Sequence, residues 1–383
     1  MDLETLNIGV IGTGFIGKQH IEAIRRIPGT NVCAIADRDE EMAKKTSELL
    51  CVPRYYTDYR KLIEDDSIDV IHNCTPSFMH LPISKEAILK GKHIYCEKPL
   101  ALNTAQSYEL LKVAEENNVA TGVNFNYRHN AVVQEMREKV ATGFLGKVLE
   151  LCGEYLQDWL LYDTDFDWRL DPKMGGESRA VADIGSHCFD TAQFIMGQKI
   201  VSVYAHLMTM HPTRKRCEKS DGTFSSSRGR VIEEVAVSSE DAAFIIGKFE
   251  DGTSCLFNIS QVCAGKKNGF NLTVSGSLKS LAWHQERCDM LEIGNRDEPN
   301  QILYADAKYL TGFAKSYAHL PAGHAAGWHD ALTNGIRAYY ESIWDGSYKN
   351  SSQHYVSFEG GHQIMKLVEA CLESHKTGEW VNV

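Results

Sequence analysis

Lys98, Asp183 and His187 are the residues of this 383-residue chain whose types and settings can move a proton and steady a developing oxyanion. Lys98 stands in Glu97-Lys98-Pro99, directly after the apolar run His93-Ile94-Tyr95-Cys96, so it falls at the end of a predicted strand. An ammonium there can hydrogen-bond a substrate oxygen and hold charge where an alkoxide forms. Glu97 can pair with Lys98 or with a cofactor ribose, and Pro99 stiffens the exit of the strand. Taken alone, the tripeptide reads more readily as an exposed Lys-Pro turn. Asp183 and His187 belong to Ala182-Asp183-Ile184-Gly185-Ser186-His187, which follows Gly175-Gly176 and reads as helical from Val181 onwards. At i and i+4 the two side chains share a face. A carboxylate beside an imidazole raises its pKa and fixes its orientation, which suits a general base working near neutral pH. Such a pair also occurs as a structural cap or as metal ligands. No third ligand accompanies it, so no metal is expected.

A reaction on an alcohol oxygen needs a partner for the hydride, and the first twenty residues supply a place for one. Ile8, Val10 and Ile11 form a short apolar strand, followed by Gly12, Gly14 and Gly17 in a G-x-G-x-x-G pattern and by a helical stretch that stops at Pro28-Gly29. Strand, glycine turn and helix in that order is the setting of a dinucleotide fingerprint. The first glycine allows the tight turn, the second lets backbone approach a pyrophosphate, and the third lets helix and strand pack closely. The loop residues Gly12, Thr13, Gly14, Phe15 and Ile16 then face the phosphates with the free N–H groups of a helix N-terminus. Asp37 ends the second apolar run, 20 residues beyond Gly17. A carboxylate there accepts hydrogen bonds from ribose hydroxyls of NAD and repels the 2′-phosphate of NADP. Arg38 beside it can stack on adenine or compensate a 2′-phosphate. NAD is therefore the expected cofactor, with NADP open; the bland alternative makes Asp37 an ordinary strand-end turn residue.

These groups need elements to hold them. To about residue 126 short strands alternate with helices, which predicts a mainly parallel sheet: Ser67 to Cys74, Lys92 to Cys96 and Val119 to Val123 as strands, with helices at Glu40 to Leu50, His80 to Lys90 and Thr104 to Asn117. Beyond a helix at Ala131 to Ala141 the strands lengthen and become neighbours: Lys147 to Gln157, Ile200 to Met208, Ala242 to Glu250, Ser254 to Val262 and Phe270 to Ser275. Glu250-Asp251-Gly252 signals a hairpin between two of them. The expectation is an α/β chain with a Rossmann dinucleotide-binding domain at 1–126 and, at 127–383, an α/β domain carrying a large, mostly antiparallel open sheet for substrate binding and oligomerisation. His211 to Glu234 is polar and charged and reads as a solvated loop. Ala331 to Trp344 and Gly360 to Lys376 read as helices. The sheet's second face makes a homo-oligomer the expected state.

Bulk composition narrows the partners. Hydrophobic residues are 43% and charged residues 24%, ordinary for a globular protein, and the net charge of −11 disfavours nucleic acid and anionic membranes. The eleven cysteines are dispersed with no C-x-x-C pair, which fits a reducing compartment. Met1 to Val10 has no basic region of a signal peptide, and there is no apolar run of roughly 18 residues for a membrane span. A soluble, cytoplasmic protein is expected.

With these parts in order, the chain resembles the glucose–fructose oxidoreductase / inositol dehydrogenase (Gfo/Idh/MocA) family. The resemblance lies in GVIGTGFIGKQH, the strand-end Asp37, CTPSFMH at 74–80, GKHIYCEKPLA at 91–101, FNYRHN at 125–130 and GGESRAVADIGSHCFD at 175–190, together about half the length. It implies a dimer or tetramer and makes Lys98, Asp183 and His187 a catalytic trio. It implies that Thr75, Pro76, His80 and Glu97 line the cofactor and that Asn126 and Arg128 fall near its nicotinamide end. Trp168 and Arg169, in Asp167-Trp168-Arg169, resemble a segment covering the nicotinamide in some members. Tyr155 to Leu160, with Gln157, and Pro321 to Trp328, with His324, resemble the branch acting on sugars and anhydrosugars, so Gln157 and His324 are candidate substrate contacts. The implied activity is reversible oxidation of a secondary alcohol on a sugar or cyclic polyol. Two alternatives keep the fold: an NAD-dependent glycosidase with transient oxidation, and a sugar-sensing regulator that binds the dinucleotide without turnover.

Overall fold

The computed structural model describes residues 4–219, 228–350 and 354–383. The chain forms two compact units, Met1–Asn126 with Leu332–Met365, and Tyr127–Ala331 with Lys366–Val383.

The first unit is built on six strands: β1 (Leu6–Ile11), β2 (Thr30–Ala36), β3 (Arg54–Tyr56), β4 (Val70–Asn73), β5 (His93–Cys96) and β6 (Thr121–Val123). All are parallel, in the order β3-β2-β1-β4-β5-β6. Ile8, Val10, Val70, Ile71 and Ile94 are fully buried, as a parallel sheet requires of its central strands. The connecting helices are α1 (Phe15–Arg25), α2 (Glu40–Leu49), α3 (Tyr59–Ile63), α4 (His80–Leu89) and α5 (Thr104–Asn117). Asp39, Asp58 and Asn103 cap α2, α3 and α5 by accepting N–H groups of the first turn, and left-handed Asn118 ends α5. No side chain among the described residues caps α1, and its first turn holds no acidic residue.

The second unit opens with α6 (Ala131–Ala141) and β7 (Val148–Leu156); then come the short α7 (Pro172–Gly175), a π-helical turn at Val181–Gly185 and α8 (Ser186–Met196). The later strands are β8 (Ile200–Met208), β9 (Thr213–Lys219), β10 (Arg228–Ala236), β11 (Ala242–Phe249), β12 (Ser254–Ser260), β13 (Gly269–Gly276), β14 (Lys279–His284), β15 (Met290–Asn295) and β16 (Gln301–Tyr304). Two long helices, α9 (Trp328–Trp344) and α10 (Phe358–Thr377), and the short β17 (Val381–Asn382) close the chain. The nine-stranded sheet runs β16-β15-β14-β13-β7-β12-β11-β8-β17 and is antiparallel except where β12 meets β7. Its strands alternate: in β11, Ala243 and Ile245 are buried, while Phe244 and Ile246 are exposed. Gly252, at φ +86°, turns β11 into β12. Trp283, Phe257 and Phe270 fill the covered side, each contributing about 1.5–3 kcal/mol by burial.

Three features depart from the sequence reading. The segment expected as a solvated loop over 211–234 contains the paired strands β9 and β10; positions 220–227 of it lie outside the described residues. Arg214 is drawn fully inside by Asp241 and three carbonyl oxygens, so a charged sequence becomes a buried tether. Strands β14 to β16 were not anticipated. Residues 332–365, read as part of the second domain, pack on the first unit. There Tyr339 donates to the Ala120 carbonyl, and the Val123 N–H donates to the Val356 carbonyl.

Candidate active site

The first unit presents its chemistry at the C-terminal edge of the parallel sheet. Gly12 has φ +92°, and a Cβ there would sit 2.7 Å from the Cys74 carbonyl oxygen. A Cβ on Gly17 would lie 1.9 Å from the Gly12 carbonyl oxygen, so helix and turn meet only because both are glycine. At Gly14 a Cβ would meet nothing within 4 Å. Thr13 is buried; Phe15 is exposed and Ile16 half-buried beside it. Asp37 is tied to the loop: its Oδ2 accepts from the Thr13 N–H at 2.8 Å and the Thr13 hydroxyl at 2.7 Å. Oδ1 takes the Asp39 N–H at 3.1 Å and keeps acceptor capacity for a ribose hydroxyl. Arg38 is exposed next to it.

Beyond β4, Thr75 donates its hydroxyl to Asn73 Oδ1 at 2.6 Å, and Pro76 leads into a short 3₁₀ turn. The His80 ring sits between the carbonyls of Pro99 and Thr75, at 2.8 and 2.9 Å, and so clasps the turns after β4 and β5 together. Burial lowers its pKa against the pull of those carbonyls and of Glu97. Glu97 is nearly sealed and accepts from Asn124 Nδ2 at 2.6 Å, from His20 Nε2 at 2.9 Å and from the Lys98 backbone N–H at 3.1 Å. Burial alone would raise its pKa, but the His20 bond and charge, Lys98 and Asn124 outweigh it and hold it at about 2. Lys98 follows, half-exposed, with a cis Lys98–Pro99 peptide. Asn126 is buried, and its Nδ2 meets no hydrogen-bond partner among the described residues. An uncapped helix N-terminus behind an open Gly14, a carboxylate with a spare lone pair and an orphaned amide donor together fit a dinucleotide.

The second unit builds around Asp183. Glu240 reaches from the turn before β11 to accept the Arg179 and Val181 N–H groups and the Ser178 hydroxyl. The turn that follows is π-helical rather than the α-helix expected, with Asp183 inside it and His187 in the first turn of α8. Gln261 Nε2 donates to Asp183 Oδ2 at 2.7 Å, and Arg169 Nε lies 3.5 Å from Oδ1. Gln261 Oε1 in turn accepts from Arg179 Nη1 at 2.9 Å. Arg179 also pairs with Asp241, which Arg214 contacts at 2.6 Å, and all three side chains are fully buried. His187 is 5% exposed, and the Tyr127 ring stands edge-on to it at 4.8 Å between centroids. Tyr127 and Tyr155 hydroxyls are 2.8 Å apart, and Asn268 bonds both. Burial raises the pKa of each phenol, so both stay protonated.

Of the other residues singled out by sequence, Gln157 joins this cluster through Trp159 Nε1 at 3.0 Å and Asn268 at 3.3 Å. Trp168 and Arg169 stack, 4.4 Å from guanidinium carbon to ring, and Asp167 holds Arg169 at 3.0 Å. Arg128 forks onto Asp190 through Nε and Nη2 and lies over Phe194 at 4.8 Å, so these two nitrogens are committed within this unit. His324 lies on an exposed turn, its Nδ1 3.2 Å from the Pro321 carbonyl. Sequence reasoning missed Gln261 and Arg179, whose link to Asp183 spans 78 residues. It also missed His20, His72, Asn124 and Tyr340 behind Glu97. Among the described residues no group of three or more His, Cys, Asp or Glu side chains is arranged for a metal.

A parallel sheet in the order 3-2-1-4-5-6, with a glycine turn leading into an uncapped helix and an acidic group ending the second strand, defines a dinucleotide-binding oxidoreductase fold. Residues 6–125 match the oxidoreductase family with an NAD-binding Rossmann fold, and residues 133–282 match the GFO/IDH/MocA C-terminal domain. The chain belongs to the Gfo/Idh/MocA oxidoreductase family, and NAD is its cofactor. Levoglucosan dehydrogenase of Pseudarthrobacter phenanthrenivorans is 27% identical over 394 residues, covering 100% of this chain and 99% of that protein. Myo-inositol 2-dehydrogenase of Thermotoga maritima is 30% identical over 204 residues, 52% of this chain and 58% of that one. A solved levoglucosan dehydrogenase in complex with NADH and levoglucosan aligns with TM-score 0.89 at 25% identity, over 99% of this chain and 100% of that one.

Proposed function

We propose that the protein is an NAD-dependent dehydrogenase that oxidises a secondary alcohol of a sugar, anhydrosugar or cyclic polyol, and runs reversibly. The observation that carries this reading is the grip on Asp183: amide and guanidinium donors fix the carboxylate one helical step from His187, beside the Tyr127 ring. Aromatic rings with a few convergent amides and carboxylates are the lining a sugar needs, apolar against its C–H faces and polar against its hydroxyls. The relatives named for levoglucosan and myo-inositol point to the same substrate class.

In this reading His187, oriented by Asp183, takes the hydroxyl proton as the C–H bond breaks, and the Lys98 ammonium hydrogen-bonds the same oxygen. Proton removal concerted with hydride departure avoids a free alkoxide, which is why the base is held in place. Bound nicotinamide supplies the hydride acceptor. The glycine loop, Asp37, Arg38, Thr75, Pro76, His80, Glu97 and Asn126 hold the dinucleotide; Trp168 and Arg169 cover it, and Arg128 supports that end through its pairing with Asp190. Gln157 and His324 contact the sugar hydroxyls. The bare apolar row of Tyr204, Ile246 and Leu256 across β8, β11 and β12 supports a homo-oligomer joined through that sheet face. Eleven unpaired thiols support a cytoplasmic setting.

Absorbance at 340 nm with NAD and a panel of sugars and inositols tests the reading. Lys98→Met and His187→Ala are expected to lower kcat by about 10² to 10³ while NADH still binds. Wild-type turnover by both variants would overturn it.

A further inference from the structure

A chain of four polar groups runs through the interior of the first unit, away from the surface where the cofactor is expected. Glu97 Oε1 is 2.9 Å from His20 Nε2; His20 Nδ1 is 2.8 Å from His72 Nδ1; His72 Nε2 is 2.7 Å from the Tyr340 hydroxyl. His20 sits on α1, His72 in the middle of β4 and Tyr340 on α9, and all three are fully buried. Asn124 braces the near end and Tyr95 reaches Asn124 at 3.3 Å. Burying so many polar groups is costly unless each finds a partner, and here each ring nitrogen has one.

The hydrogens can be placed in two ways. With Glu97 ionised, His20 Nε2 must donate to it. If His20 is neutral, its Nδ1 accepts from His72 Nδ1–H, and His72 Nε2 accepts the Tyr340 O–H. If His20 carries a second proton, both later bonds reverse: His20 Nδ1–H donates to His72, and His72 Nε2–H donates to the Tyr340 oxygen. The two arrangements differ by one proton, and both keep the three links of the chain, Glu97–His20, His20–His72 and His72–Tyr340. Glu97 keeps its charge and place in both. Burial and the His20 charge lower the His72 pKa, in keeping with a His72 that stays neutral in each arrangement. Other ionisable groups facing the chain are Lys98, His80, Cys74 and Cys96 beside Glu97, and Tyr95 and Tyr339 beside Tyr340.

We infer that His20, His72 and Tyr340 are positioning residues for the reaction: they lock the Glu97 carboxylate, and through its bond to the Lys98 backbone N–H they fix the root of the Lys98 side chain. This rests on the reading of Lys98 as the group that binds the reacting oxygen. It also gives residues 332–365 a function, since α9 brings the hydroxyl that ends the chain.

The test is a double-mutant cycle on the full-length protein, read as single-turnover hydride transfer at 340 nm. Tyr340→Phe removes one hydroxyl and keeps the ring. It is expected to slow transfer about 3- to 10-fold, with the sugar KM and NADH affinity within about twofold. In a Lys98→Met background the same change is expected to have no further effect, because the route from chain to oxygen is already cut. His72→Gln, which keeps a donor and an acceptor, is expected to retain more activity than His72→Leu. Wild-type rates in Tyr340→Phe, or an equal loss with and without Lys98, would overturn the inference. Full activity of Lys98→Met alone would instead overturn the reading of Lys98 as the group that binds the reacting oxygen.

Discussion

The two units hold their chemistry in opposite ways. Behind Glu97 the first unit uses imidazoles and a phenol, groups that can each serve as donor or acceptor. Behind Asp183 the second unit uses guanidinium groups: Arg179 and Arg214 converge on Asp241, and Arg179 passes its orientation to Asp183 through the Gln261 amide. A guanidinium stays charged at any ordinary pH and donates in a fixed plane. The second frame is therefore rigid in charge and direction, as an orienter of a base must be. The first is built from groups whose hydrogen bonds can run in either direction.

The largest expected effect is on the rigid side. Arg179→Met leaves Asp241 with Arg214 as its one paired cation and removes the Gln261 contact, so unfolding in denaturant should show a loss of about 3–5 kcal/mol. A loss below about 1 kcal/mol would mean that the cluster carries little of the second unit's stability.

Acid should then separate the units. Glu97 is held at about 2 against an ordinary 4.5. Its contribution is present above the unfolded value and is lost as pH falls from there towards 2, on the order of 3 kcal/mol in full. His72 is depressed as well, so below about 6.5 the unfolded chain takes up a proton that the folded one refuses, again a loss on acidification. In the second unit burial raises Glu240, a contribution lost as pH rises, whereas Asp241 is lowered because its arginines outweigh burial. These two oppose each other. Hydrogen exchange followed by mass spectrometry from pH 7 to about 2.5 should show protection lost first in peptides over 70–73 and then over 93–98. Equal loss in peptides over 179–185 and 242–249 would erase the distinction.

The smallest effect concerns the link itself. Gln261→Leu keeps the bulk and removes both amide contacts, so kcat should drop about 5- to 10-fold with stability changed far less than in Arg179→Met. An unchanged kcat would mean that the Gln261 amide does not orient Asp183.

Legibility in the sequence followed the range of the contacts. Gly12, Gly14, Gly17 and Asp37 were readable because a turn and a strand end are settled by neighbours within a few residues and a single crossover. The Lys98 strand end was readable for the same reason. The paired strands within 211–234 were hidden because charge usually signals solvent, and only Asp241 and the Leu160, Tyr162 and Asp165 carbonyls, met through folding, let Arg214 be buried. The π turn at Val181–Gly185 was hidden because its apolar spacing does not differ from that of an α-helix, while Glu240, some 60 residues on, secures its entry.

The sequence by itself determined the alternation of strands and helices, the glycine loop and the residue types available for proton and hydride chemistry, since each depends on local backbone preference and hydrophobic period. Tertiary structure alone decided which polar groups stand behind them. Tyr340 reaches His72 across 268 residues, and Gln261 reaches Asp183 across 78. A buried polar atom must find a partner wherever the fold supplies one, and no local pattern records where that will be.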